Sequence, residues 1–285
     1  MLATVGCGTA TEGSVDAPAT NGPVAEGTLP TDTSAAAEML SNSEVVWQVD
    51  MGGGLVPFAV AANDVPEVTI YGDGRIFVAE ELETPPWTVP PPVEVLLGSV
   101  PPEQLRAFLD DAAASEMIDE SVNYGNPRVA DLGGTTVRLR SAAGPAEVSV
   151  HGLGYDARGD LGTSEIEARN TLETLIERSR RLGDRPTPWV PDRVEVTDLP
   201  GTHEFGTTPE GTTPWPGPRF VEVFGTVKPN DTVAGSRCAE IAGVHAAEVF
   251  SAARVSGMPF VDDQGAELQV VVRALLPGEV ACDGP

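Results

Sequence analysis

The groups in this chain that could do chemistry are three histidines, three cysteines and a surplus of carboxylates, with 43 Asp and Glu against 17 Lys and Arg over 285 residues. Acid–base catalysis needs such groups to converge, and metal binding needs them at ligand spacing. His151, His203 and His245 fall on a strand end, a loop and a helix, with no HxxxH or HxH pairing among them. His245 shares a helix side with Ile241, Val249 and Ala252, which predicts a partly buried structural imidazole. His151 opens the run His151-Gly-Leu-Gly154, a glycine-rich loop of the kind that can hold an oxyanion. No Gly-x-Ser-x-Gly elbow accompanies it, so serine hydrolase chemistry has no nucleophile. Asp156 and Asp160 could offer oxygens to calcium, yet their spacing is not that of an EF-hand and Arg158 intrudes, so a solvated turn is expected. Arg158-Gly159-Asp160 is a turn and carries no further weight. Walker loops, dinucleotide fingerprints, metalloprotease helices and zinc knuckles do not occur. The sequence therefore assigns no catalytic residue, no metal ligand and no cofactor. It leaves open a hydrolase in which two of the many carboxylates meet and have their proton affinities pushed apart.

The cysteines say more. The first residues end in Val5-Gly6-Cys7, and residues 8–42 are rich in Thr, Ser, Ala, Gly and Pro, carry acidic groups and contain no Lys or Arg. This start resembles the lipobox of bacterial lipoproteins, and with the spacer and the scarcity of lysine it is similar to uncharacterised secreted lipoproteins of actinobacteria. The resemblance covers only about the first forty residues. It implies export, a diacylglycerol on Cys7, and a partner in the membrane reached through that lipid. The spacer buries too little apolar surface to offset its ordering entropy, so it is expected to be a flexible tether. With Cys7 acylated, Cys238 and Cys282 remain as an even pair in an oxidising compartment, which implies a disulfide. Closing that 44-residue loop is worth about 3 to 4 kcal/mol in the chain-entropy model and would tie the last strand to a helix start.

A formal charge of −26, with Lys228 the single lysine, repels phosphate backbones. Nucleic acid is thereby excluded as a partner. Beyond the start, no run of eighteen apolar residues could span a bilayer.

The elements that must position any site are legible locally. Val45 to Val49 and Leu55 to Val60 are expected as β segments, broken by Gly52-Gly53-Gly54, which suits a bulge, a hairpin or a ligand-facing loop. Glu67 to Tyr71 and Arg75 to Val78 flank Gly72-Asp73-Gly74 as a hairpin. Val93 to Leu97 is a strand, and Pro102 opens a helix with Leu105, Phe108, Leu109 and Ala112 on one face. Thr135 to Arg140 and Ala146 to His151 form a second hairpin. A helix then starts near Ser164 with a capping box to Glu167, buries Ala168, Leu172, Leu175, Ile176 and Ser179, and stops at Gly183. After a proline-rich boundary, strands are expected at Val194 to Thr197, Phe220 to Val227 and Glu267 to Leu275, with a helix from Ala239 to Val255. The pattern is α+β, with antiparallel sheets and single packed helices, and a repeated spelling around Trp87, Trp189 and Trp215 suggests two related subdomains. The divisions are 1–43 for a truncated signal, lipobox and disordered acidic spacer, 44–183 for the first subdomain and 184–285 for the second.

Trp87, Trp189 and Trp215 each follow a proline and precede a Val-Glu-Val run. Proline arms whose indoles cover sheet ends, with each glutamate facing solvent, are the expected meaning. An aromatic cleft for an extended peptide or a glycan is the alternative. Three functions follow: a non-enzymatic envelope module that binds or scaffolds a protein, peptide or glycan, an exported carboxylate hydrolase, and an inhibitor or sensor of another exported protein.

Overall fold

Alternating apolar residues and a tight turn start the central sheet. Residues 43–80, 90–155, 159–199, 212–225, 227, 235–256 and 259–282 are described in this computed structural model. β2 (Val68–Tyr71) and β3 (Arg75–Ala79) form the expected hairpin, with Ile70 opposite Ile76. Only Gly74 takes positive φ in its turn, at 89°, where a Cβ would lie 2.5 Å from the carbonyl of Val100. β1 (Val45–Gly52) pairs with β2 on one side and with β5 (Gly134–Ser141) on the other. β5 turns into β6 (Gly144–His151), β4 (Val95–Ser99) pairs with β3, and β7 (Thr187–Pro188) pairs with β4. The seven strands run in the order β6-β5-β1-β2-β3-β4-β7, antiparallel throughout. The passage expected to divide two subdomains thus contributes the edge strand β7 to the first sheet.

One face of this sheet is covered by two amphipathic helices. α1 (Phe58–Ala61) is a single turn, whereas α2 (Pro102–Ala114) and α3 (Thr163–Arg180) are long. α2 buries Leu105, Phe108, Leu109 and Ala112 as their spacing predicts, and Phe108 meets Trp47 edge-on at 4.9 Å between ring centres. Leu172, Leu175 and Ile176 of α3 join the same core as Val137 and Val150. The capping box expected at Ser164 does not form; the N-cap is Gly162, which has no side chain to accept a bond, and only the other half is made, the Gly162 N–H donating to Glu165 at 2.8 Å.

The opposite face receives a second layer. β8 (Arg193–Asp198), β10 (Arg237–Ala242) and β13 (Val270–Ala274) form a three-stranded antiparallel sheet in the order β10-β8-β13. Val194, Val196, Val270 and Val272 share a core with Tyr71, Phe77 and Val95 of the first sheet and with Val249 and Phe250 of the helix Val244–Ser256. That core draws on both halves of the chain. β2 is consequently buried along its whole length, since both its faces are covered. A small third sheet comprises β9 (Thr213–Pro214), β11 (Phe260–Val261) and β12 (Glu267–Leu268), with β11 and β9 parallel.

Four local expectations are corrected. Leu55 to Val60 is not a strand: Pro57, held at φ −55°, opens α1, and Leu55 is exposed. Phe220 to Val227 opens as a helical turn, α4 (Phe220–Phe224), that buries Phe224. The helix expected from Ala239 starts at Val244, here α5, because the preceding residues belong to β10 and Gly243 breaks the chain between them. Glu267 to Leu275 is divided between β12 and β13. Short apolar runs carry no period long enough to separate strand from helix, so tertiary pairing decides.

Candidate functional site

The sequence candidates scatter. Cys7, Trp87, His203, Asp156 and Arg158 lie outside the described residues. Cys238 and Cys282 are bonded, with Cα atoms 5.6 Å apart, and tie β10, rather than a helix start, to the segment after β13. Trp189 packs edge-on against Phe77 at 4.9 Å, and Trp215 packs on Phe260 at 5.2 Å while its indole N–H donates to the Pro218 carbonyl at 2.7 Å. Both are half-buried wedges on the second core and line no cleft described here. Their Val-Glu-Val runs differ in structure, one opening β4, one inside β8 and one in α4, so the repeated spelling is not a repeated unit. Glu195 does not face solvent: it is buried, pairing with Arg273 at 3.0 Å. His245 is exposed beside Glu248, not packed with Val249, and Asp160 pairs with Arg128.

The site arises from a mismatch of layers. The second layer packs behind β2, β3 and β4, while the same face of β1, β5 and β6 carries Gln48, Asp50, Thr136, Arg138, Glu147 and Ser149. Where the covering layer stops, a cleft of about 1040 Å³ opens. Its floor is the part of that polar face carrying Gln48, Asp50, Thr136 and Arg138. One wall is the stretch from α1 to Pro66, another is Gly133–Gly134 with Gly152 and Leu153, and the third is Glu195, Arg273, Glu279 and Val280. Exposed Met51, Val56, Tyr155 and Val280 give it an apolar rim.

Two arginines hold most of the cleft's acid groups. Arg138 pairs with Asp50 and with Glu147, the latter at 2.6 Å. Arg273 bridges Glu195 and Glu279, at 3.0 and 3.5 Å, and Glu195 also accepts the Cys282 N–H at 2.8 Å. Asp64 has no ion pair among the described residues. It opens to the cleft, but surrounding protein displaces water from its carboxyl, and with the nearby Asp50 charge this pushes its pKa up to about 6. Burial likewise raises Asp50 against the pull of Arg138, and raises Glu279 against that of Arg273. Carboxylates that the sequence could only count are thus gathered in one concavity.

Metal chemistry finds a poor donor set. Among the described residues, the one group of three or more candidate donors within 4.8 Å is Glu195 with Cys238 and Cys282, whose sulfurs are spent in the disulfide. A disulfide offers no thiolate.

Arg169 is the residue that sequence reading missed. It is 4% exposed, and its guanidinium donates to the carbonyls of Tyr124 at 2.7 Å, Gly152 at 2.9 Å, His151 at 2.8 Å and Gly125 at 3.3 Å. The bend at Gly152 that walls the cleft is held by this fork. A signal existed: Arg169 precedes Leu172 by three and Ile176 by seven, which places it on the apolar stripe of α3.

Comparison of the chain with protein-family models, curated proteins and solved structures gives no match. No helix among the described residues is long and apolar enough to cross a membrane.

Proposed function

We propose that this protein is a non-enzymatic binding module of the cell envelope, tethered outside the membrane by lipid on Cys7, with the cleft over β1 and β5 as its ligand site. The observation that carries the reading is the cleft itself. It is concave, rimmed by exposed apolar side chains and floored by ordered ion pairs, as ligand sites commonly are. The lipobox-like start and the disulfide fit an oxidising exterior. Gly134 provides the test. It lies in the wall, and a Cβ there would come no closer than 3.7 Å to an atom of another segment, the Ser149 hydroxyl, so Gly134→Trp starts from an unobstructed Cβ in the cleft lining. Peptide and glycan arrays probed with the soluble body should give signals that Gly134→Trp abolishes while its thermal midpoint stays near wild type. Signals untouched by the substitution would place binding elsewhere. Intact mass of the exported chain, with a Cys7→Ala control, tests the tether: a diacylglycerol-sized addition lost in the control is expected.

A carboxylate hydrolase is the second reading, favoured by one observation: Asp64 and Asp50 line the same cleft, where loss of water and the Asp50 charge push the Asp64 pKa up to about 6. That reading requires turnover of a glycan or ester that Asp64→Asn and Asp50→Asn each abolish.

A further inference from the structure

The pairing of β1 ends unevenly. On the β5 side its ladder continues through Asp50, Met51 and Gly52, opposite Thr136, Thr135 and Gly134. On the β2 side it stops at Val49 opposite Val68. Continuing that register would set Pro66 against Met51, and proline has no N–H to give to a ladder. Asp50–Gly52 is therefore strand on one edge only, and among the described residues no hydrogen bond completes the other edge. Asp50, Met51 and Gly52 line the cleft together with Val56 and Asp64, whose Oδ2 stands 3.2 Å from where a Gly52 Cβ would be.

Charge complementarity then selects the occupant. The cleft holds Asp50, Asp64, Glu195 and Glu279 against Arg138 and Arg273, and both arginines are already paired. Two positive charges are wanting, and among the described residues Asp64 is the one of the four carboxylates without an ion pair. An open strand edge recognises extended backbone, the apolar rim recognises alternate side chains, and a lone carboxylate recognises a cation.

We propose that the cleft binds an extended peptide segment carrying arginine or lysine, laid as an added strand along Asp50–Gly52 with its cationic side chain on Asp64. This rests on the cleft being the ligand site. A bare amine or a glycan would satisfy Asp64 or the rim but not the unpaired backbone. The charged groups that line the cleft with Asp64 are Asp50 on β1, Arg138 on β5, Glu195 on β8, Arg273 on β13 and Glu279 beyond it, of which Asp50 and Arg273 act on its carboxyl, so the peptide's cation enters a site of negative balance.

The test uses the soluble body and a fluorescein-labelled, end-blocked hexapeptide Gly-Val-Arg-Val-Gly-Ser. Its comparators are a twin with citrulline for arginine and two twins N-methylated at alternate peptide nitrogens. The arginine peptide should bind about tenfold more tightly than the citrulline twin, a difference that Asp64→Asn erases. One methylated twin should lose binding and the other keep it, because alternate N–H groups of an added strand point at its partner. Binding should weaken as pH falls through about 6, where Asp64 takes up its proton. Equal affinity for arginine and citrulline peptides, or equal loss with both methylated twins, overturns the proposal while leaving the cleft as a site if Gly134→Trp still blocks binding. Binding that Gly134→Trp leaves intact overturns both. Absence of arginine-peptide binding at about 1 mM, the weak end of the affinity scale, also overturns it.

Discussion

Replacing Arg169 by methionine isolates what one buried cation does for the cleft wall. The substitution keeps much of the side-chain volume but removes the donors to four carbonyls, three of them bound at 2.7 to 2.9 Å. Tyr124 and Gly152 are buried, so their carbonyls gain little from water, whereas His151 and Gly125 are partly exposed and can recover some hydration. Two buried acceptors left unmade, at about 1 to 3 kcal/mol each, offset in part by no longer burying a charge, give a loss of about 3 kcal/mol. For a body of this size that corresponds to about 6 to 12 °C in Tm. Arg169→Lys should recover only part of this, because an ammonium cannot reach four carbonyls spread over two loops. Urea unfolding followed by tryptophan fluorescence gives the free energy, and hydrogen exchange at Gly152 to Tyr155 reports whether the wall has loosened. A methionine variant within about 0.5 kcal/mol of wild type, with unchanged exchange there, would refute the hub.

Three other outcomes are expected. Reducing the Cys238–Cys282 bond, or replacing both residues with serine, should cost about 3 to 4 kcal/mol in thermal or urea unfolding and quicken exchange around Glu279, which that bond holds in the cleft. Asp64→Asn should be neutral to stabilising at pH 7, by up to about 1 kcal/mol once solvent screening is allowed for. Its sign follows from the raised native pKa: the fold binds the proton more tightly than the unfolded chain, so wild-type stability declines as pH climbs from 3.8 to about 6, and that decline is smaller in the variant. Gly183→Ala should cost at least about 2 kcal/mol by differential scanning calorimetry, since Gly183 sits at φ 77° with the Ser99 carbonyl 2.2 Å from its would-be Cβ.

Local signals carried the parts of the fold that depend on neighbours in sequence. The Gly72-Asp73-Gly74 turn, the apolar face of α2 and the stop at Gly183 were legible because turn chemistry and helical period act over a few residues. Leu55 to Val60 and Phe220 to Val227 misled because a short apolar run suits either a strand or a helical turn until its partners are known. The cleft was not legible. It depends on β1 lying between β5 and β2 and on the second layer ending partway across, both of which follow from pairings distant in sequence. Asp50, Asp64 and Glu279 are ordinary acidic residues in an acidic chain until that topology gathers them. The tryptophans showed the reverse: in the structure the conspicuous spelling around Trp189 and Trp215 goes with edge-on packing on Phe77 and Phe260.

The central claim, that the cleft at the open edge of β1 is where this protein meets its ligand, is tested most directly by mapping amide chemical shifts of the isotope-labelled body as the arginine hexapeptide is added. Shifts confined to Asp50 to Gly53, Ala62 to Val65, Gly133 to Thr136 and Glu279 to Val280, and absent in Gly134→Trp, are the predicted result. Shifts centred on Trp189 or Trp215, or spread evenly over the acidic surface, would contradict it.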